Sequence, residues 1–296
     1  MVAIAAPAPA PPAVRIPAGA RIWPWVRVLG GAAILGIAAW KLGTGSIVDG
    51  LRAVNVLSVA AALLIGFGTT VLCALRWRIV AERLGTRFPL RPAVGHYYRA
   101  QLLNNVLPAG VLGDVHRAVT HGVPAVVVER SAGQLVVVVA AMGAIATGPA
   151  LGGLTGCLLI GVGVMAAALV VGWLLLRKER RSALGGVLPP VLGLSAAALA
   201  GHLTLFVIAA HATGVTASVG QLAPLLIIAL LAMGLPLNVA GWGPREGATA
   251  VLFGAAGLGS GAGLSTSVAY GVLSLIASLP GLLVLRRKTR SSRAGS

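Results

Sequence analysis

Four charged residues stand where they could do chemistry, because each interrupts an otherwise apolar stretch: Asp114, Arg117, Arg245 and Glu246. An ionisable side chain at the bilayer centre costs about 2.5–3.5 kcal/mol on insertion scales, so one is expected there only for a purpose. The first pair follows Asn104-Asn105-Val106-Leu107-Pro108-Ala109-Gly110, with Gly113 directly before Asp114. The second ends the run Asn238-Val239-Ala240-Gly241-Trp242-Gly243-Pro244-Arg245-Glu246. Proline and glycine at this density break a helix, and broken backbone survives at membrane depth only where protein or water satisfies its polar groups. Asp114 suits the N-cap of a restarting helix, with Arg117 on the same side. Pro244 suits the first position of another, with Arg245 and Glu246 in its first turn. Helix N-termini attract anions, and a guanidinium fork matches phosphate or carboxylate bidentately. The expected chemistry is therefore anion binding. Asp114 and Glu246 would orient the arginines, balance their charge in the empty site, or meet a cationic headgroup. The competing reading makes all four solvated loop residues without a role.

The elements that must position these residues follow from composition. Hydrophobic residues make up 57% of the 296, and charged residues only 10%. Soluble domains carry about 25% charged residues, because a water-facing surface needs them. With a mean hydropathy of +0.95, lipid must be the solvent for most of this chain. The net charge of +17 comes from 23 Lys and Arg against six acids. These basic residues fall in short blocks between apolar runs, which is the positive-inside pattern rather than a nucleic-acid footprint.

A bilayer core needs about 20 apolar residues. The runs 25–42, 54–75, 132–150, 154–176, 188–212 and 264–285 qualify, while 93–130 and 219–262 are apolar but broken in the middle. Placing the blocks around Arg15–Arg27, Arg76–Arg91, Arg177–Arg181 and Arg286–Arg293 on the cytoplasmic side puts both termini there. Each broken segment must then enter and leave on one face, the two from opposite faces, as an inverted-topology repeat would. The expected fold is an all-α, polytopic membrane helix bundle of about six full spans plus two broken or re-entrant hairpins, eight or more membrane helices in total. Residues 1–24 read as a disordered Ala/Pro-rich cytoplasmic tail, 25–285 as a single transmembrane domain and 286–296 as a basic cytoplasmic tail. The location implied is the cytoplasmic membrane.

Other reactive residue types point nowhere specific. Cys73 and Cys157 sit in apolar runs without ligand spacing. His202 and His211 fall on opposite sides of one helix, and His96, His116 and His121 show no metal spacing, so neither metal nor cofactor is expected. No nucleophile elbow, zinc-hydrolase or phosphate-loop motif is present, so the chain does not read as an enzyme. Glu82 and Glu179 lie within basic blocks as solvated partners, and Glu129–Arg130 reads as a helix start at the membrane edge.

The two broken segments carry a family resemblance. LLNNVLPAGVLGDVHRA resembles the Asn-Asn-x-Leu-Pro…Gly-Asp-x-x-Arg signature of the lysylphosphatidylglycerol synthase transmembrane-region family, and GWGPREGATAVLF resembles its Gly-x-Gly-x-Arg-Glu signature. Asn105, Pro108, Gly113, Asp114 and Arg117 match the first motif; Gly241, Gly243, Arg245 and Glu246 match the second. Leu112 stands where a further Gly is common, and Trp242 where an aliphatic residue is common. The family includes stand-alone flippase-like proteins and membrane portions of glycosyltransferases. The resemblance, from about 25 to 285, implies translocation of an anionic or aminoacylated phospholipid, or of a polyprenyl-phosphate-linked sugar, with Asp114 or Glu246 as proton carrier if transport is ion-coupled. Since 11 residues follow the last span, an aminoacyl-transferase domain is not expected. Two other readings are a scaffold for a glycosyltransferase or lipid synthase, and a small-solute or ion-coupled transporter. Membrane lipids are the expected partners in the first reading, a lipid-modifying enzyme in the second.

Overall fold

The computed structural model describes residues 18–107, 112–147, 155–174, 184–235 and 242–284. Among these the secondary structure is helical, without a β-strand. Helix α1 (Ala18–Leu42) turns through 101° into the short α2 (Gly45–Arg52), followed by the long α3 (Val56–Arg83). Next come α4 (Leu90–Val106), α5 (Leu112–His121), α6 (Val123–Thr147) and α7 (Thr155–Leu174). The remaining helices are α8 (Leu188–Ala212), α9 (Val219–Met233), α10 (Pro244–Ala255) and α11 (Ser260–Ser278).

Four spans among the described residues are long and apolar enough to cross a bilayer: α3, α6 over Val123–Ala146, α8, and α11 with its continuation to Val284. The bent pair α1–α2 would make a fifth. The polarity of these helices is inverted relative to a soluble protein. On α3, Leu57, Leu64 and Phe67 are exposed, whereas Thr69, Thr70 and Arg76 are buried. An apolar outer surface around an apolar core that holds a few buried polar groups is what lipid as solvent permits, since packing rather than hydrophobic exclusion then holds the helices together. Small residues permit that packing: a Cβ on Gly66 of α3 would collide with Ala277 of α11, and one on Gly201 of α8 with Thr69 of α3.

Local chemistry accounts for the helix starts. Asn55 and Ser58 cap α3 reciprocally: the Asn55 side chain accepts from the Ser58 N–H at 2.9 Å, and Ser58 Oγ accepts from the Asn55 N–H at 3.0 Å. Ser218 and Gln221 form the same arrangement at α9. Pro189 and Pro190 open α8, where missing N–H groups cost nothing.

The broken segments differ in extent from the sequence expectation. The stretch 93–130 is not one unit: Gly122, at φ 98°, ends α5, and Pro124 lies in the first turn of α6, so Glu129 and Arg130 belong to a spanning helix. What remains is the pair of α4, ending at Val106, and α5, starting at Leu112. Likewise 219–262 resolves into α9, ending at Met233, α10, starting at Pro244, and the first turn of α11. The stretch 43–53, between the first two apolar runs, is mostly α2, packed on α11 where Gly50 has no room for a Cβ against Ser265 and Val268.

Two glycines make these hairpins sterically possible. A Cβ on Gly113 would strike the Ala100 carbonyl of the facing α4. Gly243 has φ 119°, and a Cβ there would lie 2.9 Å from the Gly31 Cα of α1. Gly113→Ala and Gly243→Ala should each destabilise the protein by about 1–3 kcal/mol. Gly68→Ala, with nothing within 4 Å of the new methyl, should be neutral or stabilising. Thermal melting in detergent separates these outcomes.

Candidate functional site

The first charged cluster is assembled by four helices around one carboxylate. Glu129 of α6 has no exposed surface. Its Oε1 accepts from Arg76 Nε of α3 at 3.0 Å, more closely from Arg76 Nη2, and from the Tyr97 hydroxyl of α4 at 3.1 Å. Its Oε2 accepts from Arg117 Nη2 of α5 at 2.8 Å. Arg76 also donates from Nη1 to Ser195 Oγ of α8 at 2.8 Å, and Gly133 of α6 leaves the space this guanidinium fills. The Arg117 guanidinium carbon lies 4.3 Å from the ring centres of both Trp77 and Tyr97. That sandwich compensates a buried cation with two π-faces.

Asp114 continues the network toward open space. It lies within the first turn of α5 rather than at its N-cap. The capping role falls to Asn104 of α4, whose Oδ1 accepts from the Gly113 N–H at 2.9 Å while its Nδ2 donates to Asp114 Oδ2 at 3.1 Å. Asp114 also accepts from Arg117 Nη1 at 3.1 Å and pairs with Arg130 Nη2 at 2.6 Å. Three arginines against two carboxylates leave this cluster with one net positive charge.

The second cluster is smaller and neutral. Glu246 accepts from the Gly243 N–H at 2.7 Å, the return half of a capping box, and from Arg245 and Ser267 on its other oxygen. Arg245 Nε also reaches Ser267 Oγ at 3.0 Å. The Arg245 guanidinium carbon sits 5.4 Å from the Trp242 ring centre and 5.0 Å from that of Tyr270. Gly271 of α11 admits both side chains, since a Cβ there would lie 2.6 Å from Arg245 Nη2 and 2.7 Å from the Trp242 ring.

Between the clusters lies a cavity of about 680 Å³. Arg76, Asp114 and Arg130 border it with Asn104 and Asn105 at the end of α4, as do Met233, Gly234 and Leu235 at the end of α9. The ends of α4 and α9 thus meet one hollow. Arg117, Glu129 and Glu246 stand behind its wall. Arg245 faces a small recess that shares Asn105, Met233 and Ser274 with the cavity. Among the described residues no hydrogen bond or ion pair joins Asp114 or Arg117 to Arg245 or Glu246; each pair is closed by its own partners. Of the remaining motif residues, Asn105 lines the cavity and Gly113 and Gly243 permit the close approaches described. Pro108 and Gly241 lie outside the described residues.

Several residues of the site were not anticipated. Glu129 is central rather than a membrane-edge helix start, Arg76 is buried rather than part of a solvated cytoplasmic block, and Trp77 beside it is buried too. Glu82 does follow the expectation, with an exposed pairing to Arg87 at 3.3 Å. A signal for Glu129 existed: it is one of only six acids and lies in an apolar run, the same criterion that singled out Asp114.

A family model, described as the lysylphosphatidylglycerol synthase TM region, matches residues 25–281. No curated protein matches the chain.

Glu129→Gln removes the charge that holds two buried arginines. Breaking such a pair typically costs about 3–5 kcal/mol. Asp114→Asn, at a partly exposed carboxylate that keeps the amide contact to Asn104, should cost well under half of that. Equal melting shifts for the two variants in detergent would contradict the central position given to Glu129.

Proposed function

The chain belongs to the lysylphosphatidylglycerol synthase TM region family and is an integral membrane protein with a lipid-related role, and on that premise we propose that it translocates a lipid by passing its anionic headgroup through the central cavity. The headgroup would belong to an anionic or aminoacylated phospholipid, or to a polyprenyl-phosphate-linked sugar. The observation that carries this reading is a 680 Å³ hollow with a net-positive charged wall inside an otherwise apolar bundle. That volume lies within the roughly 300–1,000 Å³ typical of small-molecule sites, enough for a headgroup and too little for acyl chains, which would remain in lipid. Charged groups inside a membrane are costly and rare, and by default they mark substrate paths.

The two hairpins supply the remaining machinery. Helix breaks at membrane depth require a lined cavity, and the ends of α4 and α9 border this one. If the hairpins approach from opposite faces as an inverted repeat, small rocking of one against the other would open the cavity alternately to each leaflet. Arg130 would meet the headgroup anion first, with Arg245 reaching it through the recess.

Purified protein in liposomes should move fluorescent phosphatidylglycerol between leaflets. Arg130→Ala should slow that movement about tenfold or more, the loss of roughly one charge-assisted contact near 1.4 kcal/mol. The lipid-facing Leu64→Ala should leave the rate unchanged. Equal rates for Arg130→Ala and wild type would reject the role of the charged wall. No lipid movement by well-folded wild type would favour a scaffolding role beside a lipid-modifying enzyme.

A further inference from the structure

We propose that Asp114 is a resident counter-anion: it occupies the anion position on Arg130 while the cavity is empty, and an incoming phosphoryl group displaces it. This deepens the headgroup reading above and rests on it.

The network divides into a sealed half and an exchangeable half. The side chains of Arg117 and Glu129 have no exposed surface, and that of Arg76 has 6%, whereas Asp114 has 17% and Arg130 has 45%. The last two both line the cavity. Ion pairs open to water are weak, while breaking a dry one strands a charge in protein. Displacing Arg76 or Arg117 would strand Glu129. Displacing Arg130 strands nothing, because Asp114 keeps its bonds from Arg117 Nη1 at 3.1 Å and Asn104 Nδ2 at 3.1 Å. Arg130 is therefore the one guanidinium of the cluster that a ligand can claim without dismantling the site.

Charge count points the same way. Once Arg130 turns from Asp114, its planar fork is free for two oxygens of one phosphoryl group. The cluster then presents one unbalanced positive charge, suited to a singly charged phosphodiester. Asp114 stays within reach throughout. It competes with the ligand for Arg130, recaptures the guanidinium as the ligand leaves, and so keeps binding weak enough for release.

The test is equilibrium binding of fluorescent short-chain phosphatidylglycerol to the detergent-purified full chain, with phosphatidylcholine as the uncharged-overall control. Asp114→Asn should bind phosphatidylglycerol about tenfold tighter than wild type, the opposite of what removing a binding residue does. Arg130→Gln should lose the preference for phosphatidylglycerol over phosphatidylcholine. In the Arg130→Gln background, Asp114→Asn should lose most of its gain. Asp114→Ser repeats the charge removal should the amide misfold. Unchanged or weaker binding by both folded Asp114 variants overturns the proposal, as does a gain undiminished in the Arg130→Gln background. Wild type without any preference for phosphatidylglycerol overturns the headgroup reading itself. Competition by glycerol 3-phosphate as strong as that by the lipid leaves the exchange standing and assigns the site to a soluble phosphate instead.

Discussion

The arrangement depends on a single constraint: the carboxylate of Glu129 lies in dry protein and must be neutralised there. Taking an ion from water into the interior costs several kcal/mol even after relaxation, and only close, well-bonded partners offset it. Arg76, Arg117 and the Tyr97 hydroxyl supply those bonds from three different helices. The constraint on Glu129 therefore becomes a constraint on the bundle, tying α3, α4 and α5 to α6 at one level. Each partner brings a debt of its own, met by Ser195 for Arg76 and by Trp77 and Tyr97 for Arg117. Hydrophobic exclusion contributes little between helices in lipid, so a closed polar network of this kind, with the small-residue contacts, holds the helices in register.

Much of this was legible in the residues. Apolar runs of spanning length give the long helices, and 188–212 coincides with α8 at both ends because prolines start it and Thr213-Gly214 stops it. Pro244 marks the start of α10 for the same reason of missing N–H, and the Asp114–Arg117 spacing of three gives their contact directly. What was not legible is tertiary. Arg76 follows an apolar run and precedes further basic residues, so by sequence it reads as the start of a solvated block. Only the positions of Glu129, 53 residues away, and Ser195, 119 residues away, draw it inward. Arg78, Arg83 and Arg87, with no such partners, remain at or near the surface. The boundary at Gly122 was likewise hidden, because the polar residues of α5 read as an interruption within one longer apolar stretch that α6 continues.

The two broken segments look alike in sequence, yet their charges are used differently. In the first, acid and base are three residues apart, and the acid reaches the cavity because Asn104 has taken over the capping of α5. In the second they are adjacent, and Glu246 is itself committed to the N–H of Gly243, which seals it behind the wall. The difference follows from which residue satisfies the helix start. An asparagine on the facing helix frees Asp114 for ion pairing at the cavity surface, whereas self-capping consumes Glu246. Similar motifs thus yield one open, net-positive half on the α4–α6 side of the cavity and one closed, neutral half.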